Sequence, residues 1–423
     1  MNGLSASDPS HRDGLSIAVE PWGDGELSRR REALQRLSRL VDKMPLEQVA
    51  ALLATRRNNF LGTERAAVIA PVADPVSSPA TLNPHGELIE TAARAAGLHT
   101  ARVASETLRA SHVGTVGLRI DLPGQPMFYH RQSFYFATAE GGLGQFLNGG
   151  ITPVLGLKHQ GKERVHSVGG PTPPGALFHR KQIGAALAYA ATLQGEVCIK
   201  PNASANGHRV YPRLRTAEDI VEALIANAAV YEDIVVEESF GGEAWRFFYV
   251  KPDIIGIKVG RAASVIGDGE NSLHQLIASE NSARAARSGH AASKRLPGGI
   301  IRDMMLRRQN VGLDTVIPRG RRIFLSPCSN GSQGAESLAL PDLLHPTYSA
   351  WMLEIFRAMP ELHVGAADVL IQQPLQPDRS AFQVIEINIA PSLLAFHYPG
   401  TGPVQDVAGA IVAMLQRLAS KGA

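Results

Sequence analysis

The feature that most constrains this chain is a strand-like run near its C-terminus, Phe382 to Asn388 (FQVIEIN). Side chains of a strand alternate between faces, so Glu386 and Asn388 point the same way while Val384, Ile385 and Ile387 supply apolar packing. A carboxylate and an amide oxygen on one face suit a hard, oxygen-preferring cation. The preceding run, Ala367 to Ile371, carries Asp368, which falls opposite them if the two segments pair as a hairpin. Magnesium takes one or two carboxylates and completes its shell with substrate phosphates, a need that Asp368, Glu386 and Asn388 match. A polar strand end facing solvent is the competing reading.

Composition narrows the classes of function. At roughly 150 residues per domain, 423 residues allow two or three domains. The 42 basic and 39 acidic residues nearly balance, which argues against a nucleic-acid partner. Two cysteines, Cys198 and Cys328, cannot build a disulfide framework and fit a reducing compartment. No apolar run approaches the roughly 18 residues of a membrane helix, and residues 1–14 lack an apolar signal core. A soluble, cytoplasmic, multidomain protein with no membrane partner is expected.

The first 25 or so residues, rich in Ser, Asp, Gly and Pro, read as a mobile arm. Leu34, Leu37, Leu40, Val41 and Met44 recur at helical spacing, and Leu46, Val49, Leu52 and Leu53 do so after Pro45, predicting a helical hairpin or a dimer surface over 1–60. A short strand at 66–70, a Pro-rich loop and a helix with Leu88, Ile89, Ala92 and Ala93 read as the start of an open α/β sheet. Strands are predicted over 113–122 and 127–137, 196–200, 234–238, 246–250, 322–326, 367–372 and 381–388. Helices are predicted from Thr216, which opens a capping-box-like Thr-Ala-Glu-Asp, from Ser272, and over 346–358 and 402–419.

Several short motifs fall away. Gly156 to Glu163 spells a phosphate-binding P-loop except that Glu163 replaces the hydroxyl that would hold magnesium. Asn330 to Gly334 resembles a nucleophile elbow, but Asn330 stands where its first glycine belongs. No His-Glu-x-x-His pair supports zinc.

Two lysines stand at strand-end positions suited to phosphate oxygens: Lys200, closing an apolar strand before Pro201, and Lys158, after Val154 to Leu157. For each alone, an exposed strand-end charge is the plainer account. The loop from Asn202 to Arg209 is small and polar, as a phosphate-covering loop should be. In order along the chain come Lys158 and Lys162, Gly170 to Gly175, Cys198 to Pro201, Val235 to Glu238, Gly242 to Arg246, Arg261 with Gly267-Asp268-Gly269, Ser329 to Gly334, and Asp368 through Glu386 and Asn388 to Pro391. This succession over 155–415 resembles an ATP-grasp ligase, in the branch of cyanophycin synthetase and the bifunctional glutathione synthetases.

The resemblance implies an α+β fold in which two lobes grip ATP, with a Rossmann-like α/β domain before them. Its divisions would be a pre-ATP-grasp domain over 61–155, a small lobe and lid over 156–240, and a C-terminal lobe with the metal site over 241–423. By the same resemblance, Lys158, Lys200 and Gly207 would meet the ATP phosphates, Glu237 and Glu238 the adenine, Glu243 the ribose and Asn330 the phosphate end. Asp368, Glu386 and Asn388 would hold two magnesium ions, with manganese as a substitute. Arg261, Lys200 and Arg246 would be the catalytic cations. The phosphate loop keeps only Gly207, with Ser204 and Arg209 where glycines are common. Ser392 stands in place of a customary glycine.

Activity is then expected to be ATP-dependent joining of a carboxylate to an amine, with amino acids or small peptides as substrates and a homodimer as the assembly. Arg131, His397 and Ser392 are candidate substrate contacts, with surface pairing the alternative for the first two. The additional C-terminal ligase domain of cyanophycin synthetase is not expected. A nucleotide-binding protein without turnover and an enzyme with a non-amide product stay open as alternatives.

Overall fold

The computed structural model describes residues 15, 22–41, 48, 81–104, 107–108, 115–205, 207–286, 295–329, 331 and 334–421. The strand expected at 66–70, most of the Pro-rich loop, the second N-terminal helix apart from residue 48, and Asn330 lie outside them.

Helix Glu26–Val41 forms as its periodicity predicts. Its apolar face packs within the chain: Leu34, fully buried, meets Leu187, Ala190, Ile220 and Leu224 of the small lobe. Arg30 fixes the helix by donating to the carbonyls of Leu193 and Gly195, each at 2.7 Å. Leu15, 2% exposed, lies in the core of the large lobe with Trp245 and Tyr348. Leu15 thus meets the large lobe and helix Glu26–Val41 the small lobe.

The next unit is an antiparallel meander of β1 (Thr100–Ala104), β2 (Val116–Ile120), β3 (Met127–His130), β4 (Ser133–Ala137) and β5 (Leu143–Phe146). The expected Rossmann-like arrangement is not what the described residues form. Parallel strands need long crossovers, whereas β3 and β4 are joined by Arg131 and Gln132 alone. Both take positive φ, 49° and 63°, the geometry of a two-residue hairpin turn. Helix Pro84–Ala95 starts where Asn83 accepts from the Gly86 amide, and buries Ile89 and Ala93 against this sheet.

The small lobe holds β6 (Gly175–His179), β7 (Val197–Pro201), β8 (Tyr211–Leu214) and β9 (Asp233–Glu238), antiparallel in the order β6-β9-β7-β8. Helices Ile183–Thr192 and Ala217–Ala228 cover it, the second capped by Thr216 as its sequence indicates.

The large lobe contains β10 (Glu243–Val250), β11 (Asp253–Arg261), β14 (Glu336–Leu338), β15 (Val364–Ile371) and β16 (Phe382–Asn388), in the order β14-β11-β10-β15-β16. A two-stranded insertion between β11 and β14 pairs β12 (Ser264–Ile266) with β13 (Arg322–Phe324) over its own core. Gly267 is obligatory there, because a Cβ would fall 2.3 Å from the Pro318 carbonyl. One face of the large sheet packs Trp245, Phe247, Tyr249, Ala367 and Val369 against Tyr348, Met352 and Phe356 of helix Pro346–Arg357. On the other face, Phe248, Val250, Val364 and Ala366 pack with helix Val407–Lys421 and the meander. The rest of that second face carries the polar side chains described next.

Candidate active site

Register across the large sheet sets Lys258 opposite Arg246, Arg246 opposite Asp368, and Asp368 opposite Glu386. Four neighbouring strands thus present four charged side chains in one row, because paired residues share a face. The pairing of β15 with β16 shifts between Asp368 and Val369, so that Val384 opposes Val369 and Ile385 is left out of the ladder. This irregularity lets Val384 and Ile387 both serve the core while Glu386 and Asn388 face the row.

Arg246 donates to both oxygens of Asp368, each at 2.5 Å. The Asn388 amide donates to Asp368 Oδ2 and Glu386 Oε1, each at 3.2 Å. Side chains of Arg246 and Asp368 are 27% exposed and that of Glu386 is 30%, so the row borders an accessible cleft. Burial pushes the Asp368 carboxyl up, but the Arg246 charge outweighs it and holds it below the usual carboxylate range.

Helix Lys158–Ser167, which packs on β16, and the small lobe complete the site. Helix Lys158–Ser167 begins where the backbone amides of Lys158 and His159 donate to Asn202, the residue that follows β7. The Lys158 ammonium donates to the Ser204 carbonyl and lies 3.7 Å from Glu386 Oε2, bridging phosphate-loop candidate and metal-site candidate. Burial lowers its pKa. Deeper in, Glu237 accepts from Lys162 at 2.5 Å and from Lys200 at 2.6 Å, all three nearly inaccessible. Despite its burial, the two ammonium groups keep Glu237 below the usual carboxylate range. Gly175 makes room, since a Cβ there would lie 2.6 Å from Glu237 Cβ. With one carboxylate between two lysines, the pocket floor stays net positive, as a phosphate site requires.

Lys158, Arg246, Asp368, Glu386 and Asn388 are thus brought together, with Lys200 and Glu237 behind them. The Glu237 side chain is directed to the two lysines. Glu238 continues β9, its amide donating to the Pro174 carbonyl. Gly207 takes a positive φ of 66° in the loop beyond β7. Arg261 ends β11 with Glu336 at 3.4 Å.

Other expectations fare differently. Glu243 alternates onto the opposite face with Trp245, whose indole nitrogen donates to it, and is only 7% exposed, so it is not gathered with the row. Arg131 is an exposed turn residue outside the hydrogen bonds of the site. His397 accepts from the Ala408 amide through Nε2, which leaves that nitrogen unprotonated, and burial lowers its pKa. Asp406 Oδ1 lies 3.8 Å from the same nitrogen. Ser392 is half-buried next to Leu393, whose amide donates to His85.

Lys162 and Lys258 were not singled out from sequence as site residues. A signal for Lys162 existed: it lies four residues after Lys158, on the same face of a helix. Lys258 alternates with Ile257 and Val259, which places it on the face opposite theirs but does not mark it as functional.

The donor set fits a hard divalent cation: two carboxylates and one amide, all oxygen ligands, on one sheet face. Among the described residues no group of three His, Cys, Asp or Glu side chains could cage a metal.

No family model matches the chain. It is 27% identical over 262 residues to the glutathione biosynthesis bifunctional protein GshAB of Streptococcus mutans, covering 60% of this chain and 34% of that protein. It is 28% identical over 224 residues to cyanophycin synthetase of Synechocystis, covering 52% of this chain and 25% of that one. The crystal structure of a bifunctional glutathione synthetase from Pasteurella multocida superposes with a TM-score of 0.52 at 20% identity, over 80% of this chain and 44% of that chain. The chain spans about a third of the length of the curated relatives it matches. The chain thus has the ATP-grasp fold, and its sequence is similar to part of the bifunctional glutathione synthetases and cyanophycin synthetase.

Proposed function

We propose that this protein is an ATP-dependent, ADP-forming carboxylate–amine ligase that joins amino acids or small peptides through an acyl phosphate. The observation that carries the reading is the position of Lys158, whose ammonium donates to the Ser204 carbonyl of the small lobe and lies 3.7 Å from Glu386 on the large lobe, beside the Arg246–Asp368 pair. Cations for phosphate and oxygen ligands for magnesium meet there at one cleft between two lobes. The relatives' names support the same activity class.

A carboxylate is a poor acyl donor because oxide is a poor leaving group. Phosphorylation by the γ-phosphoryl group of ATP converts that oxygen into a phosphate, which an amine displaces with formation of the amide and release of phosphate. Such chemistry asks for in-line positioning and charge neutralisation rather than a protein nucleophile. Lys158 and Lys200 would hold phosphate oxygens, with Glu237 orienting Lys200. Arg261 would meet the transferring phosphoryl group, and Arg246 would set the orientation of Asp368. Asp368, Glu386 and Asn388 would hold one or two magnesium ions, or manganese, whose contribution is to neutralise the phosphate charge. The small lobe over 172–238 would close on the cleft and exclude water, which otherwise hydrolyses the acyl phosphate. Homodimer formation and residence in the cytoplasm complete the proposal.

ADP release with magnesium and ATP across pairwise mixtures of amino acids and small peptides tests this reading, with Glu386→Ala as control. Release that needs two components, vanishes in the variant and accompanies a product of the amide mass supports it. ATP binding without release in any mixture points to a nucleotide-binding protein instead.

A further inference from the structure

Each cation of the cleft but one has a carboxylate within ion-pair distance: Arg246 has Asp368, Lys158 has Glu386, Lys162 and Lys200 share Glu237, and Arg261 has Glu336. Lys258 is the exception among the described residues. Its ammonium donates to the Ser337 hydroxyl at 2.6 Å and lies 5.7 Å from the centre of the Phe396 ring. Its neighbour in the register is a second cation, Arg246. Ser337 is itself held in place, its carbonyl accepting from the Gly400 amide at 2.7 Å.

A half-buried ammonium beside a guanidinium, with a hydroxyl for its single hydrogen-bond acceptor, costs free energy that a bound anion would offset. Burial and the neighbouring Arg246 push Lys258 down to about 7, with the Asp368 charge opposing them in part. The position tells which anion. Adjacent strands lie about 4.8 Å apart, so the Lys258 backbone is about 10 Å from that of Asp368, two strands away. The candidate metal ligands Asp368, Glu386 and Asn388 lie at one end of the row, on β15 and β16. Lys258 stands at the other end, next to the Phe396 helix that follows Ser392.

We propose that Lys258, steadied by Ser337, anchors a non-reacting carboxylate of one of the two ligation substrates. This rests on the ligase reading and adds to it the residue that would read the carboxylate a substrate keeps, besides any that becomes the amide. That carboxylate belongs either to the amine-bearing acceptor or to the carboxylate donor, and the substrate whose KM responds identifies which.

The test compares wild type, Lys258→Met and Lys258→Arg in ADP release with magnesium and ATP, using the free amino acids and their carboxamides as substrates. Wild type should lose at least tenfold in kcat/KM when the anchored substrate is supplied as the carboxamide. Lys258→Met should lose the same factor on the acid, through KM, and nothing further on the carboxamide. Lys258→Arg should keep part of the preference, and the KM for ATP should be unchanged in both variants. Equal use of acid and carboxamide by wild type overturns the anchor, as does an unchanged KM in Lys258→Met. A rise confined to the KM for ATP assigns Lys258 to the nucleotide and also overturns it. Calorimetric titration of magnesium–ATP into wild type separates the two levels. Nucleotide binding with a failed carboxamide comparison removes only the anchor, whereas no nucleotide binding removes the ligase reading and the anchor with it.

Discussion

Arg246 and Asp368 face each other in the β10–β15 register and share two parallel hydrogen bonds. A bidentate guanidinium fixes the plane of a carboxylate as well as its charge. Asp368 is therefore pre-oriented toward Asn388 and Glu386, and Arg246 works through it.

Removing that carboxylate should damage chemistry more than folding. Asp368→Asn is expected to lower kcat for ADP release by about 10²-fold or more, the scale on which preorganised charge-stabilising groups act. The side chain is 27% exposed, so the circular dichroism spectrum should be unchanged. Wild-type turnover in the variant would remove Asp368 from the site. Arg246→Lys, which keeps the charge but loses the fork, should fall between the two.

Glu237 is the converse case, a carboxylate whose loss is structural first. Glu237→Gln leaves Lys162 and Lys200 buried with no counter-charge, and breaking such a pair typically costs about 3–5 kcal/mol. Chemical denaturation should show that loss. The folded carboxyl lies below its ordinary 4.5, so the unfolded chain binds more protons than the folded one in the window beneath that value. The stability Glu237 supplies is complete above about pH 4.5 and is lost as pH falls through the folded value. Wild type should therefore lose more stability than Glu237→Gln on acidification in that range.

Helix Glu26–Val41 should behave as part of the small-lobe core. Leu34→Ala is expected to destabilise by about 2–5 kcal/mol, the range for truncating a fully buried leucine. Arg30→Ala should also destabilise, because the carbonyls of Leu193 and Gly195 lose their charged donor. A denaturation midpoint unmoved by Leu34→Ala would show that the helix is not docked in solution.

The pH dependence of binding offers a check on Lys258. Its surroundings are Arg246 on β10, Asp368 on β15, Ser337 on β14 and the Phe396 ring. Its pKa is lowered to about 7, so the free site loses its ammonium charge as pH rises through that value. Affinity for a carboxylate-bearing substrate, measured by calorimetry, should decline above about pH 7 in wild type. Lys258→Arg, charged throughout, should show no decline. A flat wild-type profile would mean that no anion uses this ammonium.

Local rules were enough to recognise many parts of this protein. Alternation placed Glu386 and Asn388 together, Thr216 announced its helix by capping, and the order of motifs from Lys158 to Pro391 carried the resemblance to ATP-grasp ligases. These features depend on neighbours a few residues apart, or on the order of segments, and both are written along the chain. Register is not. Whether Asp368 meets Arg246, and whether Lys258 extends the same row, depends on how strands separated by more than a hundred residues are aligned. The omission of Ile385 from the ladder decides which side chains of β16 reach the site. Burial is likewise collective: Glu237 looked like one of two equivalent acids in Glu237-Glu238 until the fold closed Lys162 and Lys200 around it. The partner of the His397 ring, a backbone amide of helix Val407–Lys421, likewise came from the fold. By itself the sequence determined which chemical groups were available and roughly which strands and helices bear them. Tertiary structure alone decided which groups share a face, which acid neutralises which base, and which cation was left for a ligand, because those outcomes follow from distances between segments that chain order does not specify.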